Sequence, residues 1–358
     1  MQDFFKEKKV LITGHTGFKG SWLSLWLNLS GAEVIGFSLS PPTDPNIFNA
    51  LKLGERITHI EGDVRDLEKL KEVVKSYQPE VVFHLSAQSL VIDSYEDPVR
   101  TFSTNVMGTV NLLEALRLIN SVKAVVIITS DKCYENKEWF YSYRENDRLG
   151  GIDPYSCSKA CAELIVKSYR ESFFKEKRVG IATVRAGNVI GGGDWQKNRI
   201  IPDCVRAITE KKALKLRNPE AVRPWQHVLE PLYGYMLLAK KLWENPEKFS
   251  DAWNFGPLPT EVCSVKTLVK KFFKYWGEDN LKVEFLKSSY KESHLLFLDI
   301  TKTVHLLNWK PMLFLDEAIK LTVEWYKTFY FNPEKLWEVT KKQIKFYEER
   351  VTSFTQSE

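Results

Sequence analysis

Tyr155-Ser156-Cys157-Ser158-Lys159 sets a phenol and an ammonium four residues apart, on one face of any helix that carries them. A phenol has a pKa near 10 and is a poor base at neutral pH. A neighbouring cation favours its ionised form. The pair therefore suits the removal of a proton from an alcohol. A second cluster, Thr129-Ser130-Asp131-Lys132-Cys133-Tyr134, offers a hydroxyl, Ser130, that could orient such an alcohol. It also sets a carboxyl and an amine side by side at Asp131 and Lys132. Tyr-x-x-x-Lys alone is common on surface helices, and a neighbouring Asp and Lys are often no more than a charged surface pair. What lies around them decides.

The decisive company is Gly14-His15-Thr16-Gly17-Phe18-Lys19-Gly20. It follows Val10-Leu11-Ile12-Thr13, which reads as a short buried strand. It leads into Trp22-Leu23-Ser24-Leu25-Trp26-Leu27, a helical signal. Strand, glycine turn and helix in that order are the context of a dinucleotide-binding turn. Gly14 allows the tight turn, Gly17 the close approach of backbone N–H groups to a pyrophosphate, and Gly20 close packing of helix on strand. The helix N-terminus adds unpaired N–H groups and a positive dipole end. The spacing is GxxGxxG rather than GxGxxG, so the context carries the reading.

Strand and helix signals alternate from there. Ala32 to Phe37, Ile57 to Ile60, Val81 to Leu85, Ala124 to Ile128 and Val179 to Val184 read as strands two to six. Asp66 caps a helix with apolar residues at Leu67, Leu70, Val73, Val74 and Tyr77, and Pro98 to Ile119 reads as one long helix. Asp153-Pro154 opens the helix that carries Tyr155 and Lys159. The apolar runs imply a parallel sheet buried on both faces. The fold class is α/β, a Rossmann-type doubly wound sheet with a smaller C-terminal substrate lobe. Residues 1–190 form the dinucleotide-binding domain and 191–358 mainly the substrate lobe. The two are interleaved, because Trp253-Asn254-Phe255-Gly256 returns a strand to the main sheet. Glu334 to Val351 should be helix and Thr352 to Glu358 a polar tail. Ser130 and Asp131 then fall at the C-terminal end of strand five, where open α/β sheets bind ligands.

Composition narrows the class. In 358 residues, 44% are hydrophobic and 27% charged, with a net charge of +5. That allows a sizeable core and an ordinary soluble surface, and no dense Lys/Arg tract marks a nucleic-acid binder. Five scattered cysteines favour a reducing compartment over a disulfide framework. No cluster has metal-ligand spacing. No signal peptide and no run of ~18 apolar residues is present, so a cytoplasmic protein is expected.

With these residues in place, the chain resembles the extended short-chain dehydrogenase/reductase superfamily over nearly its whole length. The resemblance rests on the glycine turn, Tyr155 and Lys159. It rests too on Asp63 after strand three, Leu85-Ser86-Ala87-Gln88 after strand four, Asn105 in the following helix, and Arg185-Ala186-Gly187-Asn188-Val189 after strand six. Within the superfamily it is most similar to the sugar-nucleotide 4,6-dehydratases, the group acting on CDP-glucose in particular. The segments at 14–27, 104–115, 129–139, 185–195 and 223–235 carry that likeness.

The resemblance implies NAD as cofactor, held by Gly14, Thr16, Gly17, Phe18, Lys19, Gly20, Asp63, Val64, Leu85, Ala87, Gln88, Asn105, Tyr155 and Lys159. It implies a sugar-nucleotide substrate, CDP-glucose, whose diphosphate meets Asn188, Arg199 and Arg223. Tyr155 would take the proton of the sugar 4-hydroxyl while hydride leaves C4. A base then removes the C5 proton and an acid protonates the departing 6-hydroxyl. Asp131 would be the acid. Lys132 stands where related dehydratases carry a Glu base, and a lysine acts as base only when neutral. Lys159 and the nicotinamide could supply the neighbouring positive charge that favours that form. His227 reads as structural and Trp225 as core. Strand two ends Gly36-Phe37-Ser38-Leu39-Ser40, without the acid that usually holds the adenosine ribose of NAD and without an Arg for NADP. A homodimer or homotetramer is expected through the helices at 98–119 and 153–173. Two rivals remain, a sugar-nucleotide 4-epimerase and a non-enzymatic dinucleotide-binding protein.

Overall fold

The computed structural model describes residues 2–278, 282–286 and 295–356. β1 (Lys9–Thr13) runs into α1 (Phe18–Leu29), β2 (Glu33–Ser38), β3 (Thr58–Glu61), α2 (Leu67–Tyr77) and β4 (Val81–His84). α3 (Pro98–Phe102) continues through a π-helical turn (Ser103–Met107) into α4 (Gly108–Leu116). β5 (Ala124–Ile128), α5 (Pro154–Tyr169) and β6 (Gly180–Ala186) complete the first half. Beyond them come α6 (Ile200–Thr209), α7 (Leu229–Glu244), β7 (Ala252–Phe255), α8 (Val265–Trp276), α9 (Leu315–Phe331) and α10 (Leu336–Gln356).

The sheet has seven strands in the order β7-β6-β5-β4-β1-β2-β3, and every pairing is parallel. Successive residues of a strand point to opposite faces, and both faces are covered. Val10 and Ile12 enter one core, with Trp22, Trp26 and the inner face of α7. Leu11, between them, enters the other, with Leu70, Leu112 and Leu116. That is why these strands read as unbroken apolar runs.

The strand at residues 252–255 does return to the main sheet, pairing Trp253 with Val184 of β6. Asp66 caps α2 by accepting from the Lys69 N–H, and Asp153 caps α5 by accepting from the Ser156 N–H. Three details differ from the sequence expectation. The stretch from Pro98 is not one regular helix: Ser103–Met107 widens to a π-turn and the helix stops at Leu116. A further short helix, Val91–Glu96, precedes it. The C-terminal helix runs into the expected tail as far as Gln356, because Val351 still packs on the core; residues 357–358 lie outside the described residues.

One buried carboxyl ties the last helices to this sheet. Glu230, on α7, accepts from the Met312 and Leu313 N–H groups at 2.8 and 2.6 Å and from the Tyr347 hydroxyl at 2.6 Å. Burial nevertheless pushes its pKa up to about 7 from 4.5, against those hydrogen bonds and the charge of Arg350. The folded state thus favours the protonated form. The stability this group contributes is fully present below pH 4.5 and is lost as pH rises through about 7. The loss should amount to roughly 3 kcal/mol. Urea midpoints of the wild type and Glu230→Gln, compared at pH 5 and pH 8, check this. The variant should lack that part of the pH slope, since its amide can keep all three contacts without titrating.

Candidate active site

The C-terminal ends of β1, β4, β5 and β6 open into one cleft of about 620 Å³, at the switch point between β1 and β4 where doubly wound sheets bind ligands. Its floor is the glycine turn. Gly14 sits at φ 78°, and a Cβ there would lie 2.6 Å from the Ser86 nitrogen. A Cβ on Gly20 would lie 2.1 Å from the Gly14 carbonyl oxygen. Both positions therefore require glycine. No side chain caps α1, whose N-cap is Gly17, so its first N–H groups face the cleft with the positive end of the helix dipole.

Every site residue singled out in the sequence lines this cleft except Asn105. Asn105 is buried behind it on the π-turn. It accepts from the Gln88 N–H at 2.8 Å and donates to the Gln88 carbonyl at 3.0 Å and the Ser158 hydroxyl at 2.8 Å. Its contacts make it a clamp between the loop after β4 and the helix of Tyr155.

At the catalytic end, Ser130 donates to Asp131 Oδ1 at 2.9 Å. Burial raises the pKa of Asp131, opposed by the charge of Lys132, the Ser130 hydrogen bond and the charge of Arg223. The shift is in the direction an acid requires. Burial also pushes Tyr155 up to about 12, opposed by a hydrogen bond to Ser130 and the charge of Arg199, while Asp131 and Asp153 push it further up. Lys159 donates to the Ile128 carbonyl at 3.2 Å, and burial lowers it to about 8, against the charge of Glu163. Lys19 is lowered to about 8 by burial and by the charges of Arg199 and Lys159, with Asp131 opposing. Three cations thus act on the carboxyl of Asp131: Lys19, Lys132 and Arg223. Arg199 is anchored, donating to Asp194 at 2.9 Å and to Ser89 at 3.0 Å. Burial opposes its charge, but Asp194 holds its pKa above the ordinary value.

His227 is fully buried, accepts from the Leu229 N–H at 3.4 Å and is pushed down to about 3 by burial, which suits a structural residue. Trp225 is buried and donates to the Cys263 carbonyl at 3.3 Å, with one edge in the cleft. Asp194 and Ser89 were not among the expected site residues. Neither was Glu163, although it follows Lys159 by four residues on the same helix face, a spacing that marks it out. It accepts from Arg185 Nε at 2.9 Å and Nη2 at 2.8 Å. Among the described residues no group of three or more His, Cys, Asp or Glu could hold a metal ion, and no helix is long and apolar enough to cross a membrane.

Known proteins are similar to this chain. The family model for GDP-mannose 4,6 dehydratase matches residues 11–322. The chain is 47% identical to a CDP-glucose 4,6-dehydratase of Salmonella typhimurium over 97% of this chain and 98% of that protein. It is 27% identical to a CDP-paratose 2-epimerase of Salmonella typhi, over 88% of this chain and 98% of that one. In fold it is similar to the dTDP-glucose 4,6-dehydratase of Bacillus anthracis, solved in complex with NAD. The TM-score is 0.75 at 22% identity, over 93% of this chain and 99% of that one. The glycine turn, the Tyr155/Lys159 pair and the match along most of the chain agree. The chain belongs to the GDP-mannose 4,6 dehydratase family.

Proposed function

We propose that the protein is an NAD-dependent CDP-glucose 4,6-dehydratase, which forms CDP-4-keto-6-deoxyglucose with loss of water. One observation carries the reading beyond the family: Asp131 and Lys132 line the same cleft as Ser130, Tyr155 and Lys159. A 4-epimerase needs the last three and has no use for the first two.

The cleft fits a dinucleotide. Gly14, Gly17 and Gly20 keep the backbone bare where a pyrophosphate would approach, and Thr16, Phe18, Lys19, Asp63, Val64, Leu85, Ala87 and Gln88 would hold the rest. NAD would supply the hydride acceptor for oxidation at C4 and the hydride donor for reduction at C6. The chain does the proton chemistry. Tyr155 takes the 4-hydroxyl proton while Ser130 orients the alcohol, and Lys159 binds the ribose and supports the phenolate. The resulting ketone acidifies the C5 proton. Lys132 removes it and returns a proton to C5 when C6 is reduced, and Asp131, whose pKa burial raises, delivers a proton to the departing 6-hydroxyl. Asn188, Arg199 and Arg223 hold the diphosphate, for which arginine's forked donors are suited.

Residues 1–190, with β7, make up the cofactor-binding half, and 191–358 mainly the substrate lobe. The free cysteines support a cytoplasmic location. Val99, Met107 and Leu164 stay exposed on the helices over 98–169, which supports a homodimer or homotetramer through that face.

The test is incubation with NAD and, separately, CDP-glucose, UDP-glucose, dTDP-glucose and GDP-mannose, with products weighed by mass spectrometry. Loss of one water from CDP-glucose alone is the expected result. Unchanged mass with inverted configuration at C4 would mean an epimerase. Lys132→Met should abolish both water loss and the exchange of the C5 hydrogen with solvent deuterium. An epimerase would keep most of its activity.

A further inference from the structure

Strand two lacks the acid that usually holds the adenosine ribose, yet two hydroxyls stand there with their hydrogen-bond directions fixed. Thr16 Oγ1 donates to the Leu39 carbonyl at 2.9 Å. A hydroxyl has one proton, so the 2.8 Å contact between Thr16 Oγ1 and Ser38 Oγ must be a donation from Ser38. Ser40 Oγ donates to Glu61 Oε1 at 2.6 Å. Glu61 is the last residue of β3 and pairs in register with Ser38, so the carboxylate is positioned by the sheet and not by a loose loop. Ser38 and Ser40 both line the cleft beside the glycine turn. With their protons committed, each offers only lone pairs to a ligand.

We infer that Ser38 and Ser40, the latter backed by Glu61, form the adenosine-ribose site and select NAD over NADP. This rests on the NAD reading given above. A ribose diol donates two hydroxyl protons to two waiting acceptors. A 2′-phosphate brings only acceptor oxygens and negative charge, and meets lone pairs with the Glu61 carboxylate behind them. Of the arginines lining the cleft near Asp63, Arg65 already pairs with it at 2.6 Å. The carboxylate that other sheets carry at the end of the second strand is thus supplied by the third, one hydroxyl removed.

Calorimetric titration of the full-length protein, freed of nucleotide, with NAD, NADP and NAD lacking the adenosine 2′-hydroxyl tests this. The wild type should bind NAD at least about tenfold more tightly than either other ligand, the value of one well-placed hydrogen bond. Ser40→Ala should weaken NAD about tenfold and bind the 2′-deoxy ligand as well as NAD. Glu61→Gln, whose amide can donate to Ser40 and turn its proton toward the ligand, should bring NADP to within a few-fold of NAD. If both variants keep the wild-type ratios, the inference is overturned while the NAD reading stands. If the wild type prefers NADP, or binds neither, the NAD reading falls and this inference with it.

Discussion

Tyr155→Phe is expected to lower kcat for CDP-glucose about a thousandfold while leaving NAD binding within a factor of a few. General-base proton transfer contributes on the order of 10²–10⁴ in rate, and the phenol is the group placed for it. Its ring is buried and makes no part of the glycine turn, so Phe keeps the packing and removes the oxygen alone. The same change should alter the pH profile. Burial holds the phenol near 12 in the ligand-free protein. Its ionised fraction therefore rises tenfold per unit of pH throughout the neutral range, and kcat/KM should climb with pH in the wild type. A positive charge arriving next to the ring shifts that limb to lower pH, and Phe abolishes it. Ser130→Ala should cost less, because it removes the hydroxyl that orients the alcohol but leaves the base. If Tyr155→Phe kept the acidic limb, proton removal would have to be assigned elsewhere, with Lys132 as the next group in the cleft.

Much of this site can be read before any coordinates. The strands are apolar on successive residues, so Val10-Leu11-Ile12 and Val125-Val126-Ile127 announce a sheet buried on both faces. The glycine turn, the Asp66 and Asp153 caps and the Tyr155/Lys159 spacing are local, and local signals survive in a linear chain. What lies beyond sequence reading is contact over distance. Arg199 is anchored by Ser89, 110 residues away, and no spacing encodes that. Glu61 backs Ser40 because two parallel strands align at Ser38, so a search for an acid at the end of strand two finds nothing. Asn105 lies on a π-turn. The extra residue in that turn displaces the side chain from regular helical spacing, and it lands behind the cleft, against Gln88, instead of inside it.

The buried pair Glu163–Arg185 should be as costly to break as Tyr155 is to lose. Each side chain is 3% exposed. Glu163 accepts from Arg185 twice, from Thr129 at 2.5 Å and from Thr183 at 2.6 Å. Arg185 goes on to the Tyr134 hydroxyl at 2.7 Å and the Glu145 carbonyl at 3.0 Å, and Tyr134 to Asn254 at 2.8 Å. One carboxylate on α5 thus fastens the Tyr155/Lys159 helix to β5 and β6, and through Tyr134 to β7. Either Glu163→Met or Arg185→Met leaves a charge buried without its partner and should lower stability by roughly 3–5 kcal/mol. The double variant removes both charges and should cost far less than the sum, as apolar replacements of buried pairs do; urea midpoints of the four proteins measure the coupling. The double variant also isolates an effect on chemistry. Glu163 favours the charged form of Lys159, which burial has already lowered to about 8. Without that carboxylate Lys159 should lose its proton at a lower pH still, and the support it gives the Tyr155 phenolate should fade within the neutral range. A stable double variant whose pH profile matched the wild type would reduce the pair to scaffolding. A shifted profile would mean that the network fixing the helix in place also sets the charge of the lysine it carries.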